Sequence, residues 1–276
     1  MPTLFVNDLT NIDCSILHSQ RGLIGASWAT DIELSGELDE QSMVFDFAKV
    51  KKTIKTIIDQ EVDHKLLVPT NYQGLEIKLG NNTHLTFVSQ DNQVIEHQSP
   101  LEAICQLDTT EICRADIIRY LTDRILSALP NNITSINIGL REEITPGNYF
   151  SYSHGLKKHD GNCQRIAHGH RSQIQIWQNE HRNNELEKKL ASDWQDIYLG
   201  SHDDITNQTS DRITFSYTTE QGDFSLTLPK SRVHLMPNDS TVECIAEHIL
   251  TVFKEAAGLK VRAFEGIGKG AIAHNQ

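Results

Sequence analysis

The sequence has no surplus of basic residues. Its 25 Lys and Arg are outnumbered by 37 Asp and Glu, giving a formal charge of −12. Nucleic acids and anionic membranes attract basic patches, so neither is an expected partner. A local basic pocket could still receive a small anionic substrate. Long hydrophobic runs are missing as well, since no apolar stretch approaches the roughly 20 residues that cross a bilayer. The opening Met1-Pro2-Thr3-Leu4-Phe5 carries no basic segment ahead of an apolar core, so no secretory leader is expected. Cysteines are few: Cys14, Cys105, Cys113, Cys163 and Cys244 are odd in number, scattered and never spaced as Cys-x-x-Cys. That argues against a disulfide framework and for a reduced, cytoplasmic protein. What remains, 38% apolar and 22% charged over 276 residues, suits a soluble chain of one large domain or two ordinary ones.

Two stretches read as one supersecondary unit written twice. In the first, Trp28 to Ser35 alternates apolar and polar residues as a half-buried strand does. Asp46 to Glu61 places Phe47, Val50, Ile54, Ile57 and Ile58 at helical spacing. His84 to Val88 is strand again, Asp108-Thr109-Thr110-Glu111 reads as the N-cap of a helix Ile112 to Leu129, and Ser135 to Leu140 closes the unit as a strand. The second half follows suit. Gln173 to Trp177 is a strand, Asn184 to Asp196 a helix and Arg212 to Tyr217 a strand. Asp239 to Glu243 caps a helix Cys244 to Ala257, and Leu259 to Phe264 ends the series. A repeat of this length is a domain duplication. Its seam falls in Glu143-Ile144-Thr145-Pro146-Gly147-Asn148, so the expected units are 1–145 and 146–276. The expected class is α+β, with antiparallel sheets carrying helices on one face. The polar run Gln178 to Lys189 reads as a solvated helix face.

The sharpest motif is His168-Gly169-His170 at the entry to a strand, where alternate residues share a face and both imidazoles can reach one ion. The glycine between them lets backbone approach. A catalytic zinc takes three protein ligands and leaves one position open, and His154 on the preceding strand can be the third. Alone, a His-x-His pair among 13 histidines is equally compatible with surface decoration, and His154 and Cys163 beside it shift the balance. Cys163 lies in the loop between the two ligand strands, and a thiol beside a metal or an Arg can serve as a general base. The first half has Ala26 and Trp28 where His168 and His170 stand, but it carries Asp63-His64 after its helix. A carboxylate can fix the tautomer of an adjacent imidazole and raise its basicity. In isolation such a dipeptide is more often just a helix end.

Together these residues resemble the 6-pyruvoyltetrahydropterin synthase and 6-carboxytetrahydropterin synthase family. The matching elements are Phe150…His154, Cys163, His168-Gly169-His170, Asp46-Phe47, Asp63-His64, Thr109-Thr110-Glu111 or Thr241-Val242-Glu243, and Glu265. They span nearly the whole chain, as two half-matches. The resemblance implies tandem tunnelling-fold units, with His154, His168 and His170 holding zinc and Cys163 removing a proton from the substrate side chain. In such enzymes an Asp-His pair from a neighbouring subunit completes the relay, the role implied for Asp63 and His64. Glu265 would anchor the 2-amino pyrimidine edge of the pterin, as a carboxylate accepting two N–H groups can. Glu142 stands as its counterpart in the first half, and Thr110 as a further substrate contact. Each half lacks what the other supplies, so one complete set per chain is expected. The implied substrate is 7,8-dihydroneopterin triphosphate and the implied product 6-carboxy-5,6,7,8-tetrahydropterin, on the route to queuosine and other 7-deazaguanines. The 6-pyruvoyl-forming elimination is the alternative, and a pterin-binding relative without turnover is a reading from another class. Open sheets leave edges to be paired, so a homo-oligomer is expected, a dimer or a trimer of fused chains.

Overall fold

The computed structural model describes residues 1–275. In the first half β1 (Thr3–His18) and β2 (Gly22–Gly36) form a long hairpin, followed by α1 (Phe47–Glu61) and β3 (Leu66–Pro69). Three short strands, β4 (Leu75–Lys78), β5 (Thr83–Val88) and β6 (Val94–Ser99), precede β7 (Ile104–Leu107), α2 (Arg114–Ala128) and β8 (Ile133–Arg141). The second half opens with the hairpin β9 (Asn148–His154) and β10 (His168–Gln178), then β11 (His181–Arg182), α3 (Asn184–Asp193) and β12 (Ile197–Ser201). Its short strands are β13 (Ile205–Gln208), β14 (Arg212–Thr219) and β15 (Gly222–Pro229). The chain then runs through β16 (Val233–Met236), α4 (Val242–Val252), β17 (Leu259–Phe264) and β18 (Gly270–His274).

Each half builds the same sheet, ordered β7-β3-β1-β2-β8 in the first and β16-β12-β9-β10-β17-β18 in the second. The hairpins are antiparallel. The sheets are nevertheless mixed, because β1–β3 and β9–β12 pair in parallel across crossovers that contain a helix, and β3–β7 and β12–β16 pair in parallel across three short strands. A third, six-stranded sheet ordered β13-β14-β15-β6-β5-β4 takes three strands from each half, joined where β15 pairs β6. The expected antiparallel sheets with helices on one face are present, and the parallel pairs and the joint sheet are additions to that outline. Both depend on pairing between segments far apart in sequence, which strand periodicity does not encode.

The apolar stripes of the helices explain where the cores lie. Val50, Ile54 and Ile58 of α1 and Ile117, Leu121 and Ile125 of α2 cover Ile12, Cys14, Ala26 and Trp28 of the first hairpin. Leu190 of α3 and Ile245, Ala246 and Ile249 of α4 cover Phe150, Tyr152, Ile174 and Ile176 of the second. A third core, with Leu17, Leu66, Ile166, Phe215 and Leu226, lies under the shared sheet and binds the halves together. At roughly 25 cal/mol per Å² of apolar surface, such burial is the main cohesive term.

Helix boundaries differ from expectation in detail. Asp46 caps α1 by accepting from the Lys49 N–H at 3.0 Å, as its type predicts. In contrast, α2 begins at Arg114, and Cys113 is its cap, with the Asp116 carboxylate accepting from the Cys113 N–H at 2.9 Å. Thr109 and Glu111 are engaged in a turn ahead of it. α4 is capped by Thr241 and stops at Val252, short of Ala257. The Gln178–Lys189 run is not a plain solvated face. It includes a turn at Asn179-Glu180 and the short β11, and Glu187 is fully buried, accepting from the Ile176 N–H at 2.8 Å. Glu187 also pairs with the exposed Arg182, so the polar run hides a buried, paired acid.

Candidate metal and catalytic site

His154 closes β9 and His168 opens β10, directly opposite in the ladder, with His170 two residues on. All three side chains are buried, and two of them are hydrogen-bonded at Nδ1. That of His154 lies 3.0 Å from the Ser240 carbonyl oxygen, which accepts its proton, and that of His168 donates to the Arg165 carbonyl at 2.9 Å. That of His170 stands 3.2 Å from Asp13 Oδ1, an ion-pair distance off the hydrogen-bond line. The opposite nitrogens converge. One ligand nitrogen from each ring lies within 4.8 Å of the others, and the Nε2 atoms of His154 and His170 are 3.1 Å apart. His168 Nε2 is buried without a partner. Lone pairs meeting this way repel unless a cation lies between them, and ligand histidines in metal sites are held at the other nitrogen in the same manner. Three imidazoles converging on one point fit zinc. Burial, reinforced by the neighbouring imidazoles, pushes His154 and His168 well below the ordinary histidine range, which keeps them in the neutral, ligating form.

Cys163 sits in a short turn, Gly161–Gln164, between β9 and β10. Its sulfur, a nitrogen of His64 and a nitrogen of His168 lie within 4.8 Å of one another. Asp63 and His64 follow α1 and come from the other half of the chain. His64 Nδ1 is 2.6 Å from Asp63 Oδ2, and the His64 ring centroid is 5.0 Å from that of His168. Burial works against a charge on His64, yet the Asp63 carboxylate and the Cys163 sulfur raise its pKa to about 10. His64 has a φ of +55°, a left-handed conformation that a side chain adopts at a cost and that is concentrated at functional positions.

The hairpins of the two halves cross at glycine. A Cβ on Gly25 would stand 2.0 Å from the Tyr152 carbonyl oxygen, and one on Gly169 would stand 2.8 Å from Gly25 Cα. The glycine of His-Gly-His therefore admits the partner hairpin. Ser15 and Ser153 hydroxyls meet at 2.7 Å across the same crossing. In the first half Cys14 faces Ala26 as His154 faces His168, and Cys14, Ala26 and Trp28 are buried in its core. Those positions offer no set of imidazoles.

The remaining candidates are distributed unevenly. Glu265 is half-buried at the turn leaving β17, where its N–H donates to the Lys269 carbonyl at 3.0 Å, and the next residue, Gly266, packs on Asp13. Glu142 is paired with Arg171, whose Nε lies 3.3 Å away, one residue beyond His170. Thr110 is exposed and lines a separate cavity of about 310 Å³ with Ser19, Tyr72 and Gln90. Its neighbour Glu111 pairs with His18, five strand residues and so roughly 16 Å along β1 from Asp13. The structure does not bring Thr110 to the histidines.

Sequence reading missed Asp13, Arg165 and Ser240. Arg165 and Ser240 act here through main-chain carbonyls, which residue type does not advertise. Arg165 is buried, and its guanidinium also reaches the Asp63 and His64 carbonyls at 3.4 Å. Asp13 did leave a signal, being an acid within Ile12-Asp13-Cys14-Ser15-Ile16, a segment that is otherwise small or apolar. It is 2% exposed. Burial would raise its carboxyl, but His170, Lys269 and Ser27 hold it down at about 2.

Fold and site thus define a duplicated α+β protein with a metal-competent histidine cluster assembled where its halves meet. A family model described as 6-pyruvoyl tetrahydropterin synthase matches twice, over residues 10–145 and 143–274. The chain belongs to the 6-pyruvoyl tetrahydropterin synthase family, with two tunnelling-fold units in tandem. A Methanocaldococcus jannaschii protein provisionally named 6-carboxy-5,6,7,8-tetrahydropterin synthase is 30% identical over 139 residues, 49% of this chain and 78% of that one. A Pyrococcus abyssi protein with the same provisional name is 23% identical over 137 residues, 50% of this chain and 78% of its own. Among solved structures, Plasmodium vivax 6-pyruvoyltetrahydropterin synthase aligns with a TM-score of 0.42 at 18% identity, covering 51% of this chain and 90% of that one.

Proposed function

We propose that the chain is a zinc-dependent pterin lyase that converts 7,8-dihydroneopterin triphosphate to 6-carboxy-5,6,7,8-tetrahydropterin, with one site per chain. The observation that carries this reading is the convergence of three buried imidazoles, two hydrogen-bonded at Nδ1 and the third facing Asp13 there, beside the Cys163–His64–Asp63 cluster. In this proposal His154, His168 and His170 hold the metal, which when bound supplies Lewis acidity toward the side-chain oxygens of the substrate. Residues 146–276 contribute the ligands, Cys163 and Glu265, and residues 1–145 contribute Asp63 and His64. The Cys163 sulfur takes a proton from a side-chain carbon of the pterin, and His64, steadied by Asp63, carries protons to and from the sulfur. Glu265 anchors the 2-amino edge, with Glu142 as the secondary candidate. Thr110 has no part in this site. Relatives provisionally named for the carboxy product support that branch over 6-pyruvoyl formation. The free cysteines support a reducing, cytoplasmic setting.

The experiment is metal analysis of protein never exposed to chelator, alongside turnover of 7,8-dihydroneopterin triphosphate. One zinc per chain with acetaldehyde and triphosphate released is the expected result. Triphosphate without acetaldehyde would move the assignment to the 6-pyruvoyl branch. Absence of zinc and turnover would leave only a pterin-binding role. Light scattering on the same sample is expected to give three chain masses, since the outer strands β8 and β18 present edges for pairing between copies.

A further inference from the structure

We infer that Asp13, a residue of the first half, is the positioning residue that unites the two halves of the site. This rests on the zinc reading above. Three separate contacts converge on it. Its carboxylate lies 3.2 Å from Nδ1 of His170, a ligand from the other half. Its N–H donates to Asp63 Oδ1 at 2.8 Å, and its carbonyl accepts from the His64 N–H at 2.7 Å. The main chain of one residue therefore sets the Asp63-His64 pair while its side chain turns to the metal cluster.

The carboxylate is itself held on every side. The Ser27 hydroxyl donates to Oδ1, and the same hydroxyl accepts from the Arg171 N–H at 3.0 Å, so the residue after His170 is tied to the same group. Gly266 has a φ of +71°, and a Cβ there would stand 2.4 Å from Asp13 Oδ1, so the turn after Glu265 is shaped around the carboxylate. A simple ion pair with Lys269 does not account for this arrangement. Its Nζ is 3.7 Å away and its side chain is half exposed, whereas a carboxylate 3% exposed is costly to bury. A carboxylate beside Nδ1 of a ligand histidine favours positive charge on the ring electrostatically and so strengthens Nε2 as a donor to a metal.

Zinc affinity, measured by competition with a chromogenic chelator, tests this without reference to turnover. Asp13→Asn is expected to weaken zinc binding about 10- to 100-fold and to alter the visible ligand-field spectrum of the cobalt-loaded protein. Should Asp13→Asn fail to fold, Ser27→Ala decides, with a several-fold loss of zinc affinity expected because the carboxylate loses its hydroxyl donor. Folded Asp13→Asn with the parent's zinc affinity and cobalt spectrum overturns the inference and leaves the zinc reading standing. A parent that takes up no zinc overturns both.

Discussion

Cys163 and His64 come from opposite halves yet meet beside His168, the residue their group shares with the three-imidazole cluster. Their contribution is testable alongside metal binding. Cys163→Ala should lower kcat by about 10²- to 10⁴-fold, the usual contribution of a positioned proton-transfer group. Zinc content should stay at the parent's level. Loss of zinc together with activity would instead make Cys163 a ligand. The elevated pKa of His64, about 10, fits a group between a carboxylate and a sulfur, which a lone helix-end histidine would not show. The residue's left-handed backbone, anchored by the Asp13 carbonyl, makes the placement of that ring a property of the fold and not of the helix it follows.

At the scale of elements, the site depends on two hairpins crossing closely at Gly25 and Gly169. Gly25 sits against the Tyr152 carbonyl and the His170 main chain, all of it backbone that cannot swing aside. Gly25→Ala should therefore destabilise the protein by about 3 kcal/mol or more, a value reserved for overpacking that the structure cannot relax. Chemical denaturation of parent and variant measures it, and a change under about 0.5 kcal/mol, the range of ordinary surface substitutions, would mean the crossing is loose. Nearby, Arg21 on the first hairpin forms a two-pronged ion pair with Asp196, its Nε donating at 2.7 Å, which pins the turn of that hairpin to the end of α3 in the other half.

The whole molecule is closed by the six-stranded sheet to which each half gives three strands. His97 lies in β6 of that sheet, 3% exposed, and burial with a contribution from His84 drives its pKa down to about 3. Below the ordinary value near 6.5 the unfolded chain binds a proton there that the folded chain refuses. Stability from this group is thus full above pH 6.5 and is lost as pH falls toward 3, by up to about 1.4 kcal/mol per pH unit. Denaturant titrations at pH 7.5 and 5.5 should show the parent losing about 1.4 kcal/mol more than His97→Leu. Equal losses in both proteins would refute the assignment.

Periodicity and residue type were enough to reveal the duplication, the four helices, the hairpin carrying His-Gly-His and the unequal inheritance of ligands and Asp-His pair. Those are local properties: apolar spacing reports which face of an element is buried, and side-chain chemistry reports what can bind. The Gln178–Lys189 run misled because a buried, paired Glu187 has the same letter as a solvated one. The parallel pairs, the joint sheet, the distance of Thr110 from the imidazole cluster and the place of Asp13 beside His170 were decided only in three dimensions. Each of these is a contact between segments remote in sequence, and a strand's pattern states which face it hides without naming what will cover it. His170 and Asp13 are separated by more than half the chain, and only the close crossing of two glycine-bearing hairpins brings a carboxylate of one half to an imidazole of the other.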